Sequence, residues 1–247
     1  MVCVEFIEKD YGKTINTRSA AEGVAKFLCN CTDDNLRLRY IRNFCQIIRR
    51  SYDWSIQNYL DQLEHYFNRL RNMKITAALD EDYFNRVKKL FNNCKTDDDI
   101  NIIRGLATEY LIWQACRKTT PRTWIMKMGC SVNINKKLIC IKGVSQTDSK
   151  QTVDIGAWYN GRSCGYFVEA KTHPYSFYKK DGDYLNELRK ELKQHNEIKY
   201  KICLFSLDVP NLMIKRAVEK GFEIEPDTCV LSMDDFPEVD VLKTLTE

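Results

Sequence analysis

The stretch TVDIGAWYNGRSCGYFVEAKTHP, residues 152–174, decides the fold class. Its halves, TVDIGAWYN and CGYFVEAKT, are β-like apolar runs on either side of Asn160 and Gly161, a dipeptide that favours a tight hairpin. Each half carries ionisable residues where the pattern expects apolar ones. Asp154 stands between Val153 and Ile155, while Glu169 and Lys171 lie two apart and so share one strand face. Pairing about a two-residue turn sets Asp154 near Phe167, and a bulge or one diagonal step brings Glu169 beside it. Two carboxylates this close repel unless a cation lies between them. Hard oxygen donors suit Mg2+ or Mn2+. A neighbouring lysine can orient or help deprotonate a water held by the ion and stabilise charge growing on a phosphate. Taken singly, each residue has a structural reading: Asp154 as a turn cap, Glu169 and Lys171 as an exposed ion pair on an edge strand.

Further elements flank the hairpin. Upstream lie the β-like runs TWIMKMGCSV (123–132) and KKLICIKG (136–143), with turn signals at 133–136 and 145–149. Before them, DDDINIIRGLATEYLIWQACRK (97–118) reads as a helix capped by its Asp cluster, with Ile102, Ile103, Leu106, Tyr110, Leu111 and Trp113 on its buried side. Downstream, DGDYLNELRKELKQHNEI (181–198) is helical. KYKICLFSLD (199–208) reads as a strand buried on both faces. NLMIKRAVEKG (211–221) is a helix ending at a glycine, and TCVLSM (228–233) is a last strand. Helix, three or four strands, helix, strand, helix, strand defines an α/β core with a mixed sheet.

The first hundred residues read as helices. Thr17 or Ser19 caps one, and Thr32 or Asp33 caps the next. Leu36, Tyr40, Ile41, Phe44, Ile47 and Ile48 form an apolar stripe, and Tyr59, Leu60, Leu63, Phe67 and Leu70 repeat it. DEDYFNRVKKLFNNC (80–94) opens with acids and continues with bases, the order a helix dipole favours. Two domains are expected: a helical region, 1–96, for substrate grip, dimerisation or partner contact, and the α/β core, 97–247.

The 247 residues suffice for a large buried core without disulfides. With 44% hydrophobic and 29% charged residues and only 10 Gly and 5 Pro, disordered and collagen-like chains are excluded. No apolar run reaches the roughly 18 residues of a membrane span, and the start MVCVEFIEKDYGK is unlike a secretory signal. A soluble protein without a membrane partner is expected. Eleven cysteines, an odd number and many inside apolar runs, point to a reducing compartment, cytoplasmic or nuclear. No Cys/His set has zinc spacing. P-loop, G-x-G-x-x-G and Ser-His-Asp patterns are also absent.

Net charge is only +4, but bases gather at Arg37, Arg39, Arg42, Arg49 and Arg50. They read as a solvated helix face or as a phosphate-contacting surface with interleaved Tyr40, Tyr52, Trp54 and Tyr59. Lys179 and Lys180 could line a nucleic-acid groove in the same way. His173 reads equally as a phosphate or metal contact and as part of a strand-ending turn, while His65 and His195 read as packing or surface residues.

A helix acid, a strand Asp and Glu-x-Lys on the next strand resemble the PD-(D/E)XK nuclease superfamily, also called restriction-endonuclease-like. Its core order, α-β-β-β-α-β, fits roughly residues 99–206. The resemblance implies that Asp154 and Glu169 bind Mg2+ or Mn2+, with the backbone carbonyl of Ala170 as a further ligand. Lys171 would position the attacking water. Glu109, four residues after Gly105, matches the helix acid and would bind a second metal directly or through water. Val153 stands where the family's motif has Pro, a departure that many members share. Gln194 half-echoes a Q-x-x-x-Y signature, since Ile198 occupies the Tyr place and Tyr200 lies beyond it, so no branch is assigned. The implied activity is a metal-dependent endonuclease (a phosphodiester hydrolase), DNA favoured over RNA, with a homodimer as the family's common arrangement. The alternatives are an RNA endonuclease of viral, toxin or defence type, a non-cleaving nucleic-acid-binding module on the same fold, and a helical interaction protein whose β region is scaffold.

Overall fold

The computed structural model describes residues 2–8, 15–75, 80–92, 94–143, 149–195, 198–232 and 235. Contacts divide the chain into two compact units, residues 11–115 and residues 1–10 with 116–247.

The helical unit contains α1 (Ile15–Asn30), α2 (Asp34–Arg50), α3 (Tyr59–Asn72), α4 (Glu81–Phe91) and most of α5 (Asp97–Thr119). The caps come from short polar side chains. Asp33 Oδ1 accepts the Leu36 N–H at 2.9 Å, and Asp80 Oδ1 accepts that of Tyr83 at 3.0 Å. At α5, Thr96 and Asp99 satisfy each other's amides, so the cap is a Thr-x-x-Asp box. Most of the expected apolar stripes are core in this unit, with Phe44, Ile47, Leu63, Phe67 and Leu70 buried, whereas Leu60 is exposed and Leu36 half-buried. Ile102 departs from the expected buried side of α5 and is exposed.

The other unit is a seven-stranded mixed sheet with order β1-β2-β4-β5-β6-β7, β3 pairing with β2. The strands are β1 (Val4–Glu8), β2 (Ile125–Ile134), β3 (Lys137–Leu138), β4 (Thr152–Tyr159), β5 (Cys164–Lys171), β6 (Lys199–Ser206) and β7 (Thr228–Ser232). The pairs from β1 through β2 and β4 to β5 are antiparallel, and those from β5 through β6 to β7 are parallel. Helices α6 (Lys179–Lys193) and α7 (Pro210–Glu219) make the two parallel crossovers. Helix α5, strands β2 to β5, helix α6, strand β6, helix α7 and strand β7 thus follow one another along the chain, in a mixed α/β fold whose helical region precedes most of the sheet.

One sheet face packs on α6 and α7. Trp158, Phe167, Ile202 and Leu204 meet Tyr184, Leu185, Leu188 and Leu192 of α6 and Met213 and Ala217 of α7. Burying a set this large is the main stabilising contribution to the unit, at about 25 cal/mol per Å2 of apolar surface removed from water. Gly182, in the first turn of α6, allows close approach: a Cβ there would stand 2.9 Å from the Lys220 carbonyl oxygen.

Four expectations change. The N-terminal region is not all helix, because Val4–Glu8 is an edge strand on β2. The sheet unit thus reaches back to the start of the chain, and α5 lies mostly with the helices, whereas the sequence division falls at 96/97. The run 136–143 gives only the two-residue β3 and an isolated bridge from Ile141 to Lys150. The turn at 133–136 forms with Asn135 and Lys136 both left-handed; that at 145–149 lies, apart from Ser149, outside the described residues. Finally, the hairpin turn is longer than Asn160 and Gly161. Residues 160–163 form it, with Ser163 left-handed at φ 47°, so Gly156 rather than Asp154 faces Phe167. The longer turn carries β5 two residues further along β4 and brings Glu169 to the level of Asp154.

Candidate active site

The paired residues of β4 and β5 run as far as Ile155 opposite Val168. One residue further out, the Asp154 side chain takes over from the ladder: its Oδ2 accepts the Ala170 N–H at 2.7 Å. Asp154 is thus a cross-strand acceptor rather than the turn cap of the structural reading, and this contact holds it beside Glu169. The Glu169 side chain, directed to the α6 side with Phe167, is fully buried.

Burying a carboxylate costs several kcal/mol unless cations pair with it. Two do so here. Glu169 Oε1 lies 2.6 Å from Lys171 Nζ and 2.7 Å from Lys150 Nζ. Both ammoniums also approach Asp181 Oδ1, Lys150 at 2.9 Å and Lys171 at 3.5 Å. Asp181 sits in the first turn of α6, where its Oδ2 accepts the Tyr178 N–H at 2.7 Å. The other oxygen of Glu169, Oε2, is buried and has no hydrogen-bond partner.

The charges perturb one another in consistent directions. Burial first and Asp154 second push the Glu169 carboxyl up to about 7, against the pull of Lys150 and Lys171. Burial works against both lysine ammoniums, but the carboxylates, Glu169 foremost, outweigh it and raise both pKa values. For Asp181, burial opposes ionisation. Lys171, Lys150 and the Tyr178 amide overcome it and hold the carboxyl below its usual range. A depressed folded-state pKa gives stability that is present above the unfolded value, about 4, and is lost as pH falls through the folded one. Asp181→Asn is therefore expected to destabilise the protein at about pH 7 and progressively less toward about pH 2. Urea unfolding at both pH values checks this, and an equal cost at both would show that the Asp181 charge carries none of it.

Asp154, Glu169, Ala170 and Lys171 thus form one cluster, as expected. Sequence reading missed Lys150 and Asp181. Lys150 follows a polar stretch without period, and Asp181 is one acid of an ordinary polar helix start. The remaining candidates of this unit make other contacts. His173 accepts the Tyr175 N–H at Nδ1 (3.2 Å), stacks on Tyr175, and has Nε2 3.4 Å from Asp208; the turn half of its double reading is realised. Gln194 is the C-cap residue of α6. Lys179 is exposed and Lys180 half-buried in that helix's first turn.

Glu109 lies half-buried on α5 within the helical unit. On α2 of that unit, Arg39, Arg42, Arg49 and Arg50 are exposed and Arg37 pairs with Asp34. Of the interleaved aromatics, Tyr40 and Tyr59 are buried in the helical core and Trp54 is half-buried. The side chain of Tyr52 lies outside the described residues.

The oxygen donors of Asp154 and Glu169, with the orphaned Oε2 among them, fit a hard divalent cation such as Mg2+ or Mn2+. Among the described residues, no group of three or more His, Cys, Asp or Glu side chains is arranged to hold a metal, so the set needs the Ala170 carbonyl or waters to complete it. No described helix is long and apolar enough to cross a membrane. No family model and no curated protein matches the chain, and the site is therefore read from its own chemistry.

Proposed function

We propose that Asp154, Glu169 and Lys171 form the site of a Mg2+- or Mn2+-dependent phosphodiesterase acting on nucleic acid, DNA in preference to RNA. The observation that carries this reading is Glu169 Oε2, a fully buried carboxylate oxygen without a partner, beside a second carboxylate and two residues from a lysine. Buried polar atoms are satisfied almost everywhere in proteins, and an ion bound at this charged cluster would satisfy this one. Asp154, Glu169 and the Ala170 carbonyl would hold the cation. When bound, it would supply Lewis acidity, lowering the pKa of water and drawing charge off a phosphate. Lys171 donates toward the cluster from the strand end and would orient the attacking water in line with the phosphorus. Its positive charge would also stabilise the negative charge that develops there. One site per chain cuts one strand, so a homodimer is proposed for duplex substrates.

A non-cleaving nucleic-acid-binding module is the second reading. It draws on Lys150, which already supplies Glu169 with a second ammonium.

Thermal melting with Mn2+ separates the two. At a hundred times the dissociation constant, a ligand specific for the folded state adds about 2.7 kcal/mol, roughly 5–10 °C for a chain of this size. The gain is expected in the wild type and absent in Asp154→Ala. No gain, or an equal gain in the variant, would refute a metal site at this cluster.

A further inference from the structure

We infer that Lys150 is an internal cation that competes with the divalent ion for Glu169 and thereby sets the metal affinity of the site. The inference rests on the metal-dependent reading above and adds a residue that the PD-(D/E)XK resemblance does not supply.

The charge balance gives the reason. Three carboxylates, Asp154, Glu169 and Asp181, face two ammoniums, Lys150 and Lys171, so the fully ionised cluster carries one net negative charge. A divalent ion would convert this to one net positive charge in a place where Glu169 is fully buried and the lysine side chains are only 11% and 16% exposed. Like charges held a few ångströms apart at low dielectric are costly. One ammonium must therefore withdraw, or the ion binds weakly.

The backbone indicates which one moves. Lys171 is the last residue of β5 and is registered against Ser206 of the parallel strand β6. Lys150 lies outside the named strands. It precedes β4 and is tied to Ile141 by an isolated two-bond bridge, its N–H donating at 3.0 Å and its carbonyl accepting at 2.8 Å. Its side chain runs inward from that bridge to Oε1 of Glu169 and Oδ1 of Asp181. Either side chain can rotate without breaking a backbone bond, but the Lys150 backbone is held by that isolated bridge alone and can shift with it, whereas a backbone shift at Lys171 would break its register with β6. Without metal, Lys150 compensates the buried acids and holds the cluster together; with metal, its place near Glu169 is taken.

Mn2+ binding to the purified full-length protein, measured by titration calorimetry and by the EPR signal of free Mn2+, tests this. Removing a competing charge is expected to tighten binding in Lys150→Met by roughly tenfold or more, within the usual range of coupling between two sites. Lys150→Arg, which keeps the charge, should bind like the wild type. Because Lys150→Met leaves buried acids less compensated and can lower folding yield, a second measurement uses the wild type alone. Mn2+ should raise the rate at which an amine-specific acetylating reagent modifies Lys150, followed by peptide mass spectrometry. Wild-type binding with equal or weaker binding by Lys150→Met, or a modification rate indifferent to Mn2+, would overturn the role of Lys150 and leave the metal site standing. Absence of Mn2+ binding in both proteins would overturn the metal site itself.

Discussion

Glu169→Ala is expected to cost about 3–5 kcal/mol of stability, the range for breaking a buried ion pair by removing one partner. The side chain is fully buried, and its Oε1 is the shared acceptor of Lys150 and Lys171. Without it, two nearly buried ammoniums converge on Asp181 and the half-buried Asp154 with one acid fewer than the packing was built around. The lost carboxylate also leaves a void between β5 and the start of α6, which partial collapse would not fill. Glu169→Gln keeps the volume and removes only the charge, so comparing the two variants separates packing from electrostatics. Urea unfolding gives both values. A cost below about 1 kcal/mol for Glu169→Ala, the scale of a solvent-exposed pair, would mean that the lysines reach water freely and that the cluster is not the closed network described.

The second large effect falls on chemistry rather than folding. Lys171→Ala is expected to slow phosphodiester cleavage by about 10²–10⁴-fold, the usual contribution of a positioned proton-handling group. Its stability cost should be smaller than that of Glu169→Ala, because Lys150 still pairs with Glu169 at 2.7 Å. Mn2+ binding should persist, since Asp154 and Glu169 remain. A kinetic loss with binding retained is the signature of a residue that acts on the reaction and not on the ion. Cleavage at the wild-type rate in Lys171→Ala would remove Lys171 from the mechanism.

The parts of this fold legible in the sequence are those whose pattern has one physical solution. The run KYKICLFSLD had to be a strand covered on both faces, and its Ile202–Ser206 stretch is buried between β5 and β7. The helical stripes through Phe44 and Phe67 are core for the same reason. Strand β1 was not legible. VEFIE is five residues with two acids, and only pairing with β2, more than a hundred residues away, makes it a strand. The candidate site was half legible. Asp154, Glu169 and Lys171 stood out as charges within apolar runs. The register that joins them depends on the left-handed Ser163 and a four-residue turn, and the dipeptide Asn160–Gly161 misleadingly advertises a shorter one. Lys150 and Asp181 come from polar surroundings where a charge is unremarkable. Their burial arises only when the start of α6 closes over the end of β5.

The most direct test is cleavage of supercoiled plasmid, single-stranded DNA and structured RNA by the wild-type protein with Mn2+ or Mg2+, with a chelator, and with Glu169→Gln and Lys171→Ala in parallel. The reading predicts cutting that requires the metal, stops with the chelator and falls to background in both variants, with DNA preferred. Cutting that survives both substitutions, or a wild-type protein that neither cuts nor binds any of these substrates, would contradict it.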